Sequence, residues 1–559
     1  MRYLAAILIA AAAWGQSVTH WHVKIPMRDG VQLCANVFLP GGSGAYSAVL
    51  LRTPYGKPDQ PAGGIQAFLR AGYAVVVQDV RGRRHSGGRF RQFDQEEADG
   101  YDTVSWIARQ SWSNQRVGMF GNSYPGIAAW RAALSKPPAL KALAIAVAGG
   151  DEYLDRFYSP GGALRLAHRT RWMAENYTPP GRPVADFRKT VLWLPLRTAD
   201  IAATGSRVDF WRAAMDHPSY DEYWSARSTS ARIVHAALPA HITAGWYDPF
   251  LESDIDMYLR IRRAGKPARM LIGPWGHSPG QPMQNGFFGG EPMPSPRMAE
   301  VAWFDAFLRA VAEAPASVVR YFLMGANEWR ESPAWPPPGA EMTPLYLSSK
   351  KGANSLAGDG TLEERPPAAP GVEKFVYHPR NAAPTVGGAL CCNFKLHPWG
   401  PLDQRGVESR LDVLVFTSAR RKRPLDIAGM VRAVLFVSSD ARDTDFTVKL
   451  VDVAPDGNAR ILNDGILRLR YRDGLHKTSP YTPGEVERIE ILLGSIAHRF
   501  LPGHAIRLDV SSSNFPRFDR NLNTGRPQST EREMRPAKQA VYRSAERPSA
   551  LILPVLRGG

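Results

Sequence analysis

Cysteine is scarce: 559 residues contain three, Cys34 and the adjacent pair Cys391 and Cys392. That excludes a fold stapled by disulfides, and neighbouring cysteines lack the spacing of a zinc knuckle. The expectation is buried, inert thiols; a bridge from Cys34 to one of the pair depends on geometry that sequence does not give. Beyond the N-terminus no apolar run approaches the ~18 residues of a membrane helix. Heptad, collagen and solenoid periods are also missing. Acidic residues are in deficit, 52 Asp and Glu against 69 Lys and Arg, for a formal charge of +17. The excess is scattered, however. Its densest run, Arg420-Arg421-Lys422-Arg423, is short and carries no RNA-binding fingerprint, so it reads as a solvated loop and no nucleic-acid partner is expected. What is present, 44% apolar and 22% charged residues, excludes a disordered chain, and the length predicts two or three domains.

The first residues pattern as an export signal. Met1-Arg2 is a short basic start, Tyr3 to Trp14 is almost wholly apolar, and Gly15-Gln16-Ser17 turns polar. A charged start, a short apolar core and small residues before a polar stretch describe a secretory leader, too short to span a membrane stably. Residues 1–16 are assigned to it, with cleavage between Ala13 and Ser17, and the mature protein is expected outside the cytoplasm, periplasmic or secreted.

From His22, two period-two runs flank Arg28-Asp29-Gly30 and predict a β-hairpin. Short apolar strands then alternate with helical stretches: strands at 48–51, 74–77, 116–120, 143–147, 240–244 and 268–272, helices at 102–110, 124–135, 253–264 and 300–310. That alternation predicts a parallel sheet with helices on both faces, over 17–150 and 236–315. Residues 151–235 break the rhythm with aromatic and Arg-rich helical sequence, including Tyr153, Phe157, Trp172, Trp211 and a Thr178-Pro179-Pro180-Gly181 break. An insertion of this kind usually lies over the strand C-termini where ligands bind, and is read as a helical cap. From 316 to 559 helices give way to about eight short strands between turn signals such as Asp456-Gly457 and Asp473-Gly474, which predicts a jelly-roll β-sandwich.

The sharpest chemical signal is Gly121-Asn122-Ser123-Tyr124-Pro125-Gly126, between a predicted strand and a predicted helix. A serine on such a turn projects its oxygen over the sheet edge as a nucleophile. The usual second glycine, two residues after the serine, is here Pro125, tolerable in a first helical turn. A serine nucleophile needs a base and the base an orienting acid, in the chain order Ser, Asp, His for this fold. Asp248 in Gly245-Trp246-Tyr247-Asp248 and His277 in Gly273-Pro274-Trp275-Gly276-His277 follow in that order, each after a predicted strand. The oxyanion needs preorganised donors. One is the backbone N–H of Tyr124. The loop Arg52-Thr53-Pro54-Tyr55-Gly56-Lys57 has no glycine-rich donor stretch, so the Tyr55 hydroxyl is the candidate second donor. Trp246, Tyr247, Phe250 and Trp275 flank the triad and are candidates for an aromatic acyl pocket, with core packing the competing reading.

In combination these segments resemble the CocE/NonD hydrolases, relatives of Xaa-Pro dipeptidyl peptidases and α-amino acid ester hydrolases. Arg52-Thr53-Pro54-Tyr55, Gln78-Asp79-Val80-Arg81-Gly82, Trp112-Ser113-Asn114, the Ser123 turn and the Asp248 and His277 segments carry the likeness. Pro384-Thr385-Val386-Gly387-Gly388 and Ser438-Ser439-Asp440-Ala441 extend it into the last third. The resemblance implies an α/β-hydrolase domain with helical cap and C-terminal jelly roll, an acyl-enzyme mechanism on Ser123, His277 and Asp248, and an oxyanion site at Tyr55 and Tyr124. It implies no metal or organic cofactor, a small-molecule acyl substrate, no stable membrane insertion and a tendency to homodimerise. Two departures stand out. Arg83 and Arg84 replace small residues after the Asp79 strand, and Pro125 stands where amino acid ester hydrolases carry an acid. The expectation is therefore an exported serine esterase. An Xaa-Pro dipeptidyl peptidase or β-lactam acylase is the alternative enzyme, and a carbohydrate-binding protein with a vestigial hydrolase domain the alternative class.

Overall fold

The computed structural model describes residues 18–557 apart from 42–43, 62, 282, 284–294, 314 and 397, so the expected leader lies outside the described residues. Two compact units emerge: Met1–Ile145 with Arg297–Pro315, and Ala146–Pro296 with Ala316–Gly559.

In the first unit, β1 (Val18–Pro26) and β2 (Gln32–Leu39) form the expected antiparallel hairpin around Asp29-Gly30. Then come β3 (Tyr46–Thr53), β4 (Ala74–Asp79), β5 (Ser113–Asn122) and β6 (Leu140–Ala146), in the spatial order β1-β2-β4-β3-β5-β6. β3 runs parallel to both β4 and β5. Every residue of β4 is buried, as a strand covered on both faces requires. Three helices connect the strands, α1 (Gly64–Arg70), α2 (Glu96–Ala108) and α3 (Tyr124–Leu134). A later helix, Pro296–Phe304, packs against the same sheet. Phe68 sits 4.7 Å from Phe120 and 5.7 Å from Phe304, ring centre to ring centre, and burying each ring contributes roughly 1.5–3 kcal/mol. The helix expected at 300–310 begins four residues earlier, and its last turn, Asp305–Arg309, widens to a π-turn.

The second unit opens with the cap helices α4 (Leu166–Tyr177), α5 (Phe187–Leu192), α6 (Ala199–Thr204), α7 (Asp209–Asp216), α8 (Glu222–Arg227) and α9 (Thr229–Arg232). They enclose an aromatic core of Tyr153, Phe157, Trp211 and Trp224. The indole nitrogens of Trp211 and Trp224 donate to the carbonyls of Leu196 and His217, which removes the penalty of burying them. Parallel strands β7 (Ala240–Gly245) and β8 (Ala268–Gly273) follow, joined through α10 (Leu251–Arg263).

The boundary drawn at 316 needs correction. β9 (Val319–Leu323) pairs parallel to β8, and β10 (Glu328–Ser332) antiparallel to β9. Both extend the α/β sheet rather than opening the sandwich. The sandwich strands are β11 (Ala340–Ser348), β12 (Thr361–Glu363), β13 (Gly371–Tyr377), β14 (Leu414–Ser418), β15 (Leu425–Ser439), β16 (Asp445–Val453), β17 (Ala459–Arg468), β18 (Glu487–Phe500), β19 (Ala505–Ser511), β20 (Ala537–Arg543) and β21 (Ala550–Leu556). Their order is β13-β20-β15-β21-β11-β12-β14-β19-β16-β17, with β18 on β15. The strand expected at 466–471 is the end of β17 followed by a 3-10 turn at Leu469–Tyr471.

Residues 236–296 group with the sandwich because specific bonds tie them there. The Tyr247 hydroxyl donates to the Ile461 carbonyl, and the Glu252 carboxylate accepts from both the backbone N–H and the hydroxyl of Ser495. In the cap segment, the Leu164 N–H donates to Asp519 at 2.8 Å. Among the described residues no helix is long and apolar enough to cross a membrane.

Candidate active site

The first unit builds a nucleophile turn with its neighbouring donors. β5 ends at Asn122 and α3 begins at Tyr124, so Ser123 alone makes the corner, with φ 60° and ψ −126°. A non-glycine residue at positive φ costs energy and persists only where its surroundings hold it. Gly121 is part of that holding: a Cβ there would fall 2.5 Å from Pro125 Cβ and 2.8 Å from the Gly126 nitrogen. Pro125 occupies the first turn of α3, where its missing N–H leaves no intrahelical bond unmade.

Tyr124 is buried, and its hydroxyl donates to Glu96 Oε1 at 2.8 Å. Glu96 Oε2 accepts from Arg52 Nη1 at 2.6 Å, and Arg52 Nε donates to Gln78 Oε1 at 2.7 Å. Burial pushes the Glu96 carboxyl up while Arg52 and the Tyr124 hydroxyl pull it down. This chain of side chains joins the start of α3 to the end of β3, from which the Tyr55 loop leaves.

Asp79 clamps that loop, accepting from the Lys57 backbone N–H at 2.8 Å and from Lys57 Nζ at 3.1 Å. The Tyr55 ring, 43% exposed, stands edge-on to the Tyr124 ring at 6.5 Å. Arg83 and Arg84, whose role sequence left unassigned, brace the same segment: Arg83 Nε donates to the Pro54 carbonyl and Arg84 Nη2 to that of Tyr55. Arg83 also lies over the Phe90 ring, 5.0 Å from its centre.

The second unit builds an acid–imidazole pair. Asp248 follows β7 and His277 follows β8. Asp248 Oδ2 and His277 Nδ1 are 2.5 Å apart, with the carboxylate fully buried and the imidazole 13% exposed. The other carboxylate oxygen accepts from the Phe250 N–H at 2.8 Å, so both oxygens are held and the side chain cannot turn away. A carboxylate on Nδ1 sets the tautomer and leaves Nε2 to take up a proton. Gly276 allows the close approach of a neighbour, since a Cβ there would fall 2.6 Å from Trp399 Nε1.

The four aromatic residues flanking this pair divide. Trp275 is buried with its indole nitrogen on the Ala244 carbonyl, and Tyr247 is buried as described. Trp246 donates to the Phe322 carbonyl and packs tilted against Trp335, while its surface also lines a cavity with Asp248, Arg165 and Met430. Phe250 packs on the pair, its ring edge-on to His277 at 5.2 Å. His168, from α4, also packs on Phe250, at 5.4 Å; burial and the adjacent Arg169 hold its imidazole well below the ordinary histidine range. Sequence gave no sign of His168, which lies in the cap some hundred positions from His277.

A serine on a strained strand-to-helix turn and an Asp-bound histidine after later strands of the same fold are the marks of the α/β-hydrolases. Two family models match the chain, X-Pro dipeptidyl-peptidase (S15 family) over residues 29–279 and the X-Pro dipeptidyl-peptidase C-terminal non-catalytic domain over 312–552. A cocaine esterase from Rhodococcus sp. is 38% identical over 570 aligned positions, 96% of this chain and 98% of that one. Among solved structures, an α-amino acid ester hydrolase is 27% identical with a TM-score of 0.84, covering 98% of both chains. An aminopeptidase from a marine-sediment Thaumarchaeota archaeon has the same identity and TM-score, covering 97% of both. The chain belongs to the CocE/NonD family of hydrolases.

Proposed function

We propose that the protein is an exported serine esterase working through an acyl-enzyme. Ser123 attacks the acyl carbonyl, and His277 Nε2 takes its proton and hands it to the departing alcohol. Asp248 keeps the tautomer and stabilises the imidazolium. The Tyr55 hydroxyl and the Tyr124 N–H hold the oxyanion. Water, activated by the same imidazole, then releases the acid and restores Ser123. The observation that carries this reading is the Asp248–His277 bond at 2.5 Å on a doubly held carboxylate, each residue following a strand of the same sheet. The strained Ser123 turn and the names of the esterase relatives support it. Export is supported by the pattern of residues 1–17.

The test is hydrolysis of p-nitrophenyl acetate, butyrate and benzoate beside Gly-Pro-p-nitroanilide, by wild type and Ser123→Ala. Ester turnover abolished in the variant, with little anilide cleavage, supports the esterase. Preferential Ser123-dependent anilide cleavage would make it a dipeptidyl peptidase instead. Retention on insoluble polysaccharide without turnover would favour a binding protein.

A further inference from the structure

The cysteines do not behave as the inert thiols expected from sequence. Cys34 is a buried free thiol, but Cys391 and Cys392 are bonded to each other. The loop that carries them is closed at its neck by reciprocal backbone bonds between Gly388 and Gly400, at 2.9 and 3.0 Å. Inside it Phe394 packs edge-on against Trp399 at 4.9 Å. Cys391 is buried and Cys392 exposed, and Cys392 has φ 137°, a region non-glycine residues rarely occupy.

Against this pair stands His168. A ring nitrogen and the two sulfurs all lie within 4.8 Å of one another. His168 is only 9% exposed, and its Nδ1 has no hydrogen-bond partner among the described residues. A buried polar nitrogen left unpaired is rare and calls for an explanation.

We infer that Cys391, Cys392 and His168 form a redox-gated site for a borderline-soft divalent cation, zinc above all. One imidazole and two thiolates are the donor types such ions select. Sulfurs sharing one tetrahedral zinc stand about 3.8 Å apart, given Zn–S bonds of ~2.3 Å. The bridged sulfurs therefore have to part before they can share one ion. Opening requires a dithiol reductant. Its thiolate attacks the exposed Cys392 sulfur, the bond to Cys391 breaks, and its second thiol resolves the mixed disulfide. The reductant leaves as a disulfide, and two electrons and two protons remain as two thiols. The cation then displaces both protons to solvent and takes two sulfurs and the imidazole nitrogen, with water in the fourth position. An oxidising disulfide reverses the sequence and expels the metal. His168 packs on Phe250, and Phe250 on His277, so the site lies one ring from the imidazole to which the proposed reaction assigns its proton transfers.

The test compares the full chain air-oxidised and stripped with chelator against the same protein reduced with dithiothreitol and desalted anaerobically. Thiol titration of the denatured samples should find one thiol before reduction and three after. Cobalt(II) should bind the folded, reduced protein one to one with a near-ultraviolet thiolate-to-cobalt charge-transfer band, be displaced by zinc, and give no such band with oxidised protein. His168→Gln should weaken cobalt binding about tenfold or more, since even outer-sphere partners of metal ligands are worth that much. Cys34→Ala should leave the band intact. Three thiols after oxidation, no band on reduction, a band from oxidised protein, a His168→Gln affinity within about twofold, or loss of the band in Cys34→Ala would each overturn the proposal. The comparison of the two wild-type redox states needs no variant to fold.

Discussion

Replacing Asp248 with Asn changes one charge and almost no volume. The fold should tolerate it, because the amide oxygen can still accept from the Phe250 N–H that Asp248 Oδ1 now binds at 2.8 Å. What disappears is the negative charge beside His277 Nδ1. With charge centres about 4 Å apart and an effective dielectric constant near 20, an imidazolium formed during acyl transfer loses about 4 kcal/mol of stabilisation. At 1.36 kcal/mol per factor of ten, that is about 10³-fold in kcat. The amide also no longer enforces the Nδ1–H tautomer, and in serine-protease triads the corresponding change costs about 10⁴. We therefore expect kcat on p-nitrophenyl butyrate to fall between about 10³- and 10⁴-fold, with KM within about threefold of wild type and a melting temperature within a few degrees. Stopped-flow acylation and thermal melts on the same preparation measure both. Turnover within about tenfold of wild type, from a protein that melts normally, would refute the assignment of Asp248 and the electrostatic reasoning with it.

Tyr55→Phe removes the proposed second oxyanion donor from a half-exposed ring, so kcat should drop about 10²- to 10³-fold with stability unchanged, as read by ester kinetics beside a melt. Gly121→Ala places a methyl group against Pro125 and the Gly126 backbone. It should cost about 1–3 kcal/mol in urea unfolding and most of the activity, because Ser123 must shift to relieve the overlap. Burial raises the Asp155 carboxyl to about 7, and Glu300 likewise to about 7. The native state therefore keeps protons that the unfolded chain has already released, so the contribution of these two groups to stability is fully present below the ordinary carboxylate range and is lost as pH rises through about 7. For Asp155, the span from 3.8 to about 7 at ~1.36 kcal/mol per pH unit caps the loss near 4 kcal/mol. Urea melts of wild type and Asp155→Asn at about pH 5 and pH 8 isolate the Asp155 contribution: the wild type should lose more stability than the variant between the two, and an equal change in both would contradict the assignment.

How much was legible in sequence varied with how locally each feature is encoded. The Ser123 turn announced itself because strand, corner and helix are compressed into six residues whose sizes only that geometry accommodates. The hairpin around Asp29-Gly30 was legible from period-two alternation, and parts of most sandwich strands from β-rich runs between turn signals. β9 was not read as a strand at all, because it falls in the short stretch after the last predicted helix where no alternation stood out; its parallel register with β8 is a tertiary choice. The short strand β12 and the late strands β20 and β21 fell below any periodic signal. Within the candidate site, residue types and chain order pointed to Asp248 and His277. Adjacent cysteines gave no hint of their bond or of His168, because that cluster is assembled by a cap helix from far away in the chain. Trp246, Tyr247 and Trp275 border reactive positions, and of the three Trp246 lines a cavity with Asp248. In the structure their polar atoms are spent on backbone carbonyls.

The side-chain chain from Tyr124 through Glu96 to Arg52 has a consequence for engineering. It means the spacing between α3 and the Tyr55 loop is governed by a truss of buried polar groups and not by loop length. Glu96 touches no reacting atom in the proposed mechanism, yet shortening or lengthening it would slide one strut against the other. A library confined to Glu96 and its two partners is thus a compact handle on donor geometry, orthogonal to any library that reshapes the acyl-binding surface.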